Sequence, residues 1–500
     1  MSSLKTVVLA KIKYIDMANI TPKRFFYAAI VVLWVATTAL LLFRHYGSNQ
    51  SVPFAANKNI FSEELYKGQW MGLYYKGEKT GYSHRKVEKA GDGYKISEQM
   101  KMRLNVMNVQ KDIETFTTAY LGPDMKLRSF DFMLNSDMTM NIKGRVEGRN
   151  LKVSMETAGT KSEQVIALKD EPSLNLSVIP NILDGGIKTG KKLSISIIDP
   201  VTMTQERILL EVEGKERIMS MNVMREAFRL RGSFKGIEFS VWLTEKGEVL
   251  REESPLGFVL IKESEADAIQ TGNPSVDIIA QVAVPFNLKL PYDTKYLRVK
   301  LSGINLKVLE LDGGRQNLKG DVLEIKKEEI QSSKFKVESL KSPEEYLKDA
   351  MFIQSKDPEI ISMAKEIVRD EKDTLKKARL IYDWVYRNIR KTPAITIPMA
   401  TEVLKSRRGD CNEHTTLYTA LARAADIPTR IALGLTYKDS YFYYHAWPEI
   451  FIGQWTAIDP TLGQFPADAA HIRITSGEID KQMQILSVIG KIKIEGLEYR

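Results

Sequence analysis

Cysteine is almost missing from this chain: one residue in 500, Cys411. A single thiol excludes any intramolecular disulfide and any zinc or iron–sulfur site built on several cysteines, and it makes that thiol a group to follow. Histidine is scarce too, with five residues. A dense charge of one sign is also missing beyond the first residues. The formal net charge is +9, from 72 Lys and Arg against 63 Asp and Glu. Residues 1–24 alone hold Lys5, Lys11, Lys13, Lys23 and Arg24 against Asp16, so +4 sits in a short leader. The +5 that remains is too dilute to make a polyanion groove, and no nucleic acid partner is expected. Long apolar runs are missing bar one, which excludes a polytopic membrane protein. Hydrophobic residues at 43% and charged ones at 27% exclude a disordered or collagenous chain.

The one apolar run is Phe25 to Phe43, 19 residues without a charge. As a helix it would be roughly 28 Å long, close to the thickness of a bilayer core. Arg44-His45-Tyr46 follow Leu42-Phe43 directly, with no small-residue cleavage stretch, so the run reads as a transmembrane signal anchor rather than a cleaved signal peptide. The basic leader, 1–24, then stays in the cytoplasm, and everything after Tyr46 crosses a cell membrane to the periplasmic or outer side. The lipid bilayer is therefore an expected partner, through residues 25–43.

From about 50 to 270 the pattern is strand upon strand. Met100, Met102, Leu104 and Val106 alternate with Lys101, Arg103 and Asn105, as do Met138, Met140, Ile142 and Leu151, Val153, Met155 with their neighbours. Glycines punctuate these runs where hairpins must turn. The expectation is a large, curled antiparallel sheet. Its methionines could line an adaptable apolar groove, but ordinary sheet core is the preferred reading. Thr271-Gly272-Asn273-Pro274 marks a boundary. Leu297 to Leu301, Leu306 to Leu311 and Val322 to Ile325 suggest a small β-module over 285–335. Helical signals then begin. Ser342-Pro343-Glu344-Glu345 is a capping box, Asp357-Pro358 opens a second helix, and Leu375, Ala378, Ile381, Tyr382, Val385 and Ile389 form one apolar stripe. The fold class expected is α+β: a β-rich domain, a small β-module, a helix-led domain over 342–474 and a C-terminal extension, 475–500.

Around the lone cysteine the sequence is dense in polar groups. Asp410 and Glu413 form a capping-box pattern, which makes Asp410 the N-cap and Cys411 the first residue of a helix. The positive end of the helix favours a thiolate there, while the two carboxylates oppose it. Tyr441 to Phe451 and Gln454 to Asp459 read as two strands turning at Ile452-Gly453, a pairing in which residue numbers sum to about 905. His445 then lies across from Asp459 or Pro460, so a carboxylate can hold one ring nitrogen while the other faces the thiol. Cys411, His445 and Asp459 thus make a nucleophile, base and orienting group. His414 shares a helix face with Cys411, which suits support better than proton transfer. Trp447 and the aromatics around it either wall a cleft or pack the strand. A Cys411–His414 metal pair has no further ligands at metal spacing, and neither a metal nor a cofactor is expected.

The stretches Ala-Arg-Leu-Ile-Tyr-Asp-Trp-Val at 378–385, Arg-Arg-Gly-Asp-Cys-Asn-Glu-His-Thr at 407–415, Ala-Asp-Ile-Pro-Thr-Arg at 425–430, His445-Ala446-Trp447-Pro448-Glu449 and Ile458-Asp459-Pro460-Thr461 together resemble the transglutaminase-like core. The resemblance covers about 342–470 and implies a papain-like fold. It also implies a triad of Cys411, His445 and Asp459, and acyl transfer through a thioester on protein or peptide amides, with amine or water as acceptor. Animal members carry a tryptophan shortly upstream of the cysteine as an oxyanion donor. Here the nearest is Trp384, in a predicted helix, so only the Cys411 N–H is assigned. Their calcium sites find no acidic cluster here. The competing expectation is a non-catalytic envelope scaffold that uses the same core to bind peptide or cell-wall amides. Oligomeric state is not encoded in these motifs.

Overall fold

Alternation of apolar and polar side chains over a long stretch leaves antiparallel pairing as the way to bury one face, and the computed structural model shows that outcome. It describes residues 61–500 apart from 62, 158, 184–185, 235–236, 255, 331–342, 395–397, 478–484 and 486. The leader 1–24 and the run 25–43 lie outside the described residues. Among the described residues no helix is long and apolar enough to cross a membrane.

Fourteen strands form one antiparallel sheet. Strands β1 (Gln69–Tyr75) to β8 (Thr160–Ala167) make one meander and β9 (Lys192–Asp199) to β14 (Phe258–Lys262) a second, joined where β1 pairs with β14. Met140, Ile142, Leu151, Val153 and Met155 are buried, while Met100 and Met102 stay half-exposed. The segment after β14 ties this sheet to the rest. Asp277 accepts the Asn108 N–H at 2.8 Å, and seven residues on β15 (Val284–Pro285) pairs with the strand that carries His445.

The small module is a four-stranded sheet. β16 (Tyr296–Ser302), β17 (Gln316–Lys319) and β18 (Val322–Lys326) are joined by a strand from the far end of the chain, Lys493–Tyr499, which pairs with β16. The expected C-terminal extension is thus part of the module. Leu306 to Leu311, expected as a strand, holds a short 3₁₀ turn at Leu306–Val308, because the Asn305 side chain accepts the Lys307 N–H and caps it. Pro343–Leu347 is likewise a 3₁₀ turn rather than a full helix, and Ser342 lies outside the described residues.

Four helices follow: α1 (Pro358–Val368), capped by Asp357; α2 (Thr374–Asn388), capped by Asp373; α3 (Ala400–Ser406); and α4 (Cys411–Ala424). A two-residue parallel pair, β19 (Arg390–Lys391) with β20 (Arg408–Gly409), leads the chain into α4. β21 (Thr429–Lys438), β22 (Tyr441–Phe451), β23 (Trp455–Ala457) and β24 (His471–Ser476) complete the core sheet, in the order β15-β22-β21-β24 with β23 also on β22; Lys493–Tyr499 is β25. Ile381, Val385, Leu417 and Leu421 of the helices pack on Leu433, Ala446 and Ile450. Leu297, Val299, Leu323 and Ile325 of the small module pack on Leu435, Phe442, Ile472 and Ile474. β22 is therefore gripped by two apolar clusters along its length.

Candidate active site

The site starts with a glycine. Gly409 has φ +152°, and a Cβ there would fall 2.3 Å from the Cβ of Glu413. Without that side chain, Glu413 folds back and its Oε2 accepts the Asp410 N–H at 2.8 Å. Asp410 in turn accepts the Asn412 N–H at 3.2 Å. This reciprocal cap starts α4 at Cys411, with the thiol at the positive end of the helix. Cys411 keeps partial exposure. Even so, burial of the sulfur and then the Asp410 carboxylate push the thiol up, with Glu413 and Asp459 adding to it; a hydrogen bond from the Ala446 N–H acts the other way. That N–H belongs to the residue after His445. One turn further along α4, the Thr415 hydroxyl donates to the Ala446 carbonyl at 3.1 Å, fixing the helix against β22.

His445 sits opposite Gly434 in the pairing of β21 with β22. A Cβ on Gly434 would lie 2.0 Å from the Ile472 carbonyl oxygen and 2.9 Å from the Trp447 ring, so only glycine lets the strands close here. His445 Nε2 lies 2.7 Å from Asp459 Oδ2. Asp459 reaches it by a different route from the one expected. Phe451 pairs with Trp455, a sum of 906, and β23 ends at Ala457. Asp459 lies beyond the strand in a turn closed by its own side chain, whose Oδ1 accepts the N–H groups of Thr461 (2.7 Å) and Leu462 (2.9 Å). Burial opposes ionisation of this fully buried carboxyl, but His445 and the donors around it outweigh that and hold it well below the usual carboxylate range.

Of the supporting residues, His414 is buried with Nδ1 2.6 Å from the Asp410 carbonyl, and burial lowers its basicity. Trp447 is fully buried, stacked near His445 (6.1 Å, 22°) and edge-on to His471 (5.2 Å, 82°), so it packs the site from beneath rather than walling a cleft. Trp384 is occupied elsewhere, with the Arg407 guanidinium 4.3 Å over its ring. A cavity of about 270 Å³ adjoins the cap, lined by Pro393, Val403, Gly409 and Glu413 together with Val109 and Met138 of the large sheet.

One residue escaped the sequence reading. His471, at the start of β24, is fully buried with Nε2 3.0 Å from Asp459 Oδ2 and Nδ1 2.9 Å from Asp468 Oδ1. Its only signal was the scarcity of histidine. Ligand atoms of His445, Asp459 and His471 lie within 4.8 Å of one another, the spacing of a metal site. Both Nε2–Oδ2 separations are hydrogen-bond lengths, so a carboxylate with two imidazole donors accounts for the cluster.

Residues 361–460 match the model of the transglutaminase-like superfamily. The chain carries a transglutaminase-like domain. Cys411, His445 and Asp459 all fall inside the matched stretch, and His471 falls beyond it. Among solved structures the chain is similar to "a Putative Cysteine Protease from Cytophaga hutchinsonii", at 15% identity and a TM-score of 0.27, over 41% of this chain and 86% of that one. A β-barrel-like protein from Brucella abortus, a domain of unknown function, aligns at 10% identity and 0.32, over 39% of this chain and 94% of that one. "A Putative Protease from Parabacteroides distasonis" aligns at 11% and 0.19, over 54% and 66%. No curated protein matches the chain.

Proposed function

We propose that the chain is a membrane-anchored thiol acyltransferase or amidohydrolase acting on protein or peptide amides, with Cys411 as nucleophile, His445 as acid and base, and Asp459 holding the histidine. The observation that carries this reading is the 2.7 Å contact of His445 Nε2 with a buried, ionised Asp459, on the strand whose Ala446 N–H reaches the Cys411 sulfur. With Nε2 donating to Asp459, Nδ1 is the nitrogen left to take a proton. The thiol passes its proton to His445 as the sulfur attacks the amide carbon. The C–N bond then breaks, His445 protonates the departing amine, and a thioester stays on Cys411. Water or an amine next gives its proton to His445 and attacks the thioester, releasing acid or new amide and restoring the thiol. The Cys411 N–H, at the start of α4, would donate to the oxyanion, an interaction on the order of 3 kcal/mol.

Residues 25–43 would anchor the chain in the inner membrane, with the domain on the periplasmic or outer side, where a lone thiol has no partner for an intramolecular disulfide. The reading is tested by exposing the full chain to an extract of periplasmic peptides and mass-analysing the Cys411 peptide. An acyl adduct that disappears in Cys411→Ser, and accumulates less in Asp459→Asn, is expected. No adduct under any condition would leave the non-catalytic binding role in its place.

A further inference from the structure

His471 and Asp468 have no part in the chemistry above, yet they are built into it. Asp459 is an acceptor with all its positions filled: two backbone N–H groups on Oδ1, and the Nε2 atoms of His445 and His471 on Oδ2. A carboxylate has about four such positions, so both imidazoles must carry their proton on Nε2. Asp468 takes three partners, the Ala470 N–H on Oδ1 at 3.0 Å, the Gln464 amide on Oδ2 at 3.1 Å, and His471 Nδ1 on Oδ1. Both aspartates are held below the ordinary carboxylate range, and a ring that meets an ionised, acceptor-only carboxylate at each nitrogen is satisfied only when both nitrogens are protonated. The other groups facing His471 are the Thr436 hydroxyl at 3.4 Å, the Trp447 ring, and the His445 ring with its centroid 6.0 Å away, and none of them is a carboxylate.

We propose that His471 is a positioning residue, a buried imidazolium held between Asp459 and Asp468 that fixes the Asp459 carboxylate and acts through it on His445. Without it, Asp459 would keep its backbone donors but lose the cation that balances its charge and the contact that sets the direction of Oδ2. Burial alone would lower the basicity of His471, but its hydrogen bonds to the two aspartates outweigh that and raise it. Four groups, from the middle of β22, the turn after β23, the loop before β24 and the start of β24, thereby form one hydrogen-bonded chain, His445–Asp459–His471–Asp468.

This inference rests on the reading of Cys411, His445 and Asp459 as the reacting set, and its test separates the two. Iodoacetamide labelling of Cys411 in the full chain is compared for wild type, Asp459→Asn, His471→Gln and the double variant. His471→Gln is expected to slow labelling near neutral pH by about tenfold and to change nothing further in the Asp459→Asn background, the non-additivity of residues acting through one another. If Asp459→Asn slows labelling and His471→Gln does not, or if the two effects add, the inference fails and the triad stands. If Asp459→Asn itself has no effect, the triad reading fails. Histidine-selective nitrogen NMR gives an independent readout. One imidazole protonated on both nitrogens should persist above the ordinary histidine range, and lose that state in Asp468→Asn. Five histidines that all titrate in the ordinary range would overturn the proposal.

Discussion

The Cys411 thiol lies between opposed influences. The helix start and the Ala446 N–H favour the anion, while burial and the carboxylates of the cap disfavour it and prevail. The resting group is therefore a thiol, which becomes a nucleophile by handing its proton to His445. Burial, and then the Glu413 carboxylate beside it, push the Asp410 carboxyl up to about 8, so it is ionised in the range where the thiol titrates. Asparagine caps a helix as well as aspartate and carries no charge. Asp410→Asn should move the pH profile of Cys411 labelling down by roughly one unit with little change in melting temperature; an unmoved or upward-shifted profile would contradict this assignment of charge. At this scale the sequence was informative where the logic was local. Asp410 and Glu413 are three residues apart and announce their cap, but His471 meets Asp459 across a turn and a separate strand, and no spacing rule joins them.

Among the elements, turns matter as much as strands. The hairpin expected to carry His445 and Asp459 exists, but its second arm is three residues, Trp455–Ala457, and Asp459 is delivered by an Asx-type turn on Thr461 and Leu462. Alternation shows which residues share a face, not where a strand gives way to a side-chain-closed turn. The pairing of Lys493–Tyr499 with β16 was hidden for a related reason: nearly 200 residues separate them, and the two stretches read alike as short strands. Gly409 is the element-level hinge of the site. Gly409→Ala would place a methyl against Glu413 in a backbone region that alanine rarely adopts, so the reciprocal cap must open. A loss of about 1–3 kcal/mol is expected in denaturant unfolding, together with slower labelling of Cys411. Unchanged stability would mean that Glu413 does not need the space.

Across the molecule, Asn59–Arg500 forms one compact unit, and the buried carboxyls within it respond to pH in opposite directions. Asp459, Asp468 and Glu449 are all buried yet held below their ordinary range by histidine or arginine partners. Their contribution to stability is full above about pH 4 and is lost as pH falls through their lowered folded values. Glu402 behaves the other way. Burial raises its carboxyl to about 7, outweighing the Met399 backbone and the Lys405 charge, which act the other way. The folded state binds that proton more tightly than the unfolded chain, so stability is lost as pH rises from about 4.5 through 7. Glu402→Gln should therefore unfold at higher denaturant than wild type at about pH 8 and at a similar concentration at about pH 4; a gain that is equal at both would sink the assignment. The central claim, that Cys411, His445 and Asp459 work as one unit, is open to a direct measurement because the chain has a single cysteine. The rate of iodoacetamide labelling is followed against pH in wild type and His445→Ala. The account predicts labelling at least about tenfold faster in wild type between about pH 6 and 8. Superimposable curves, rising together only toward an ordinary thiol pKa of ~8.5 or above, would contradict it.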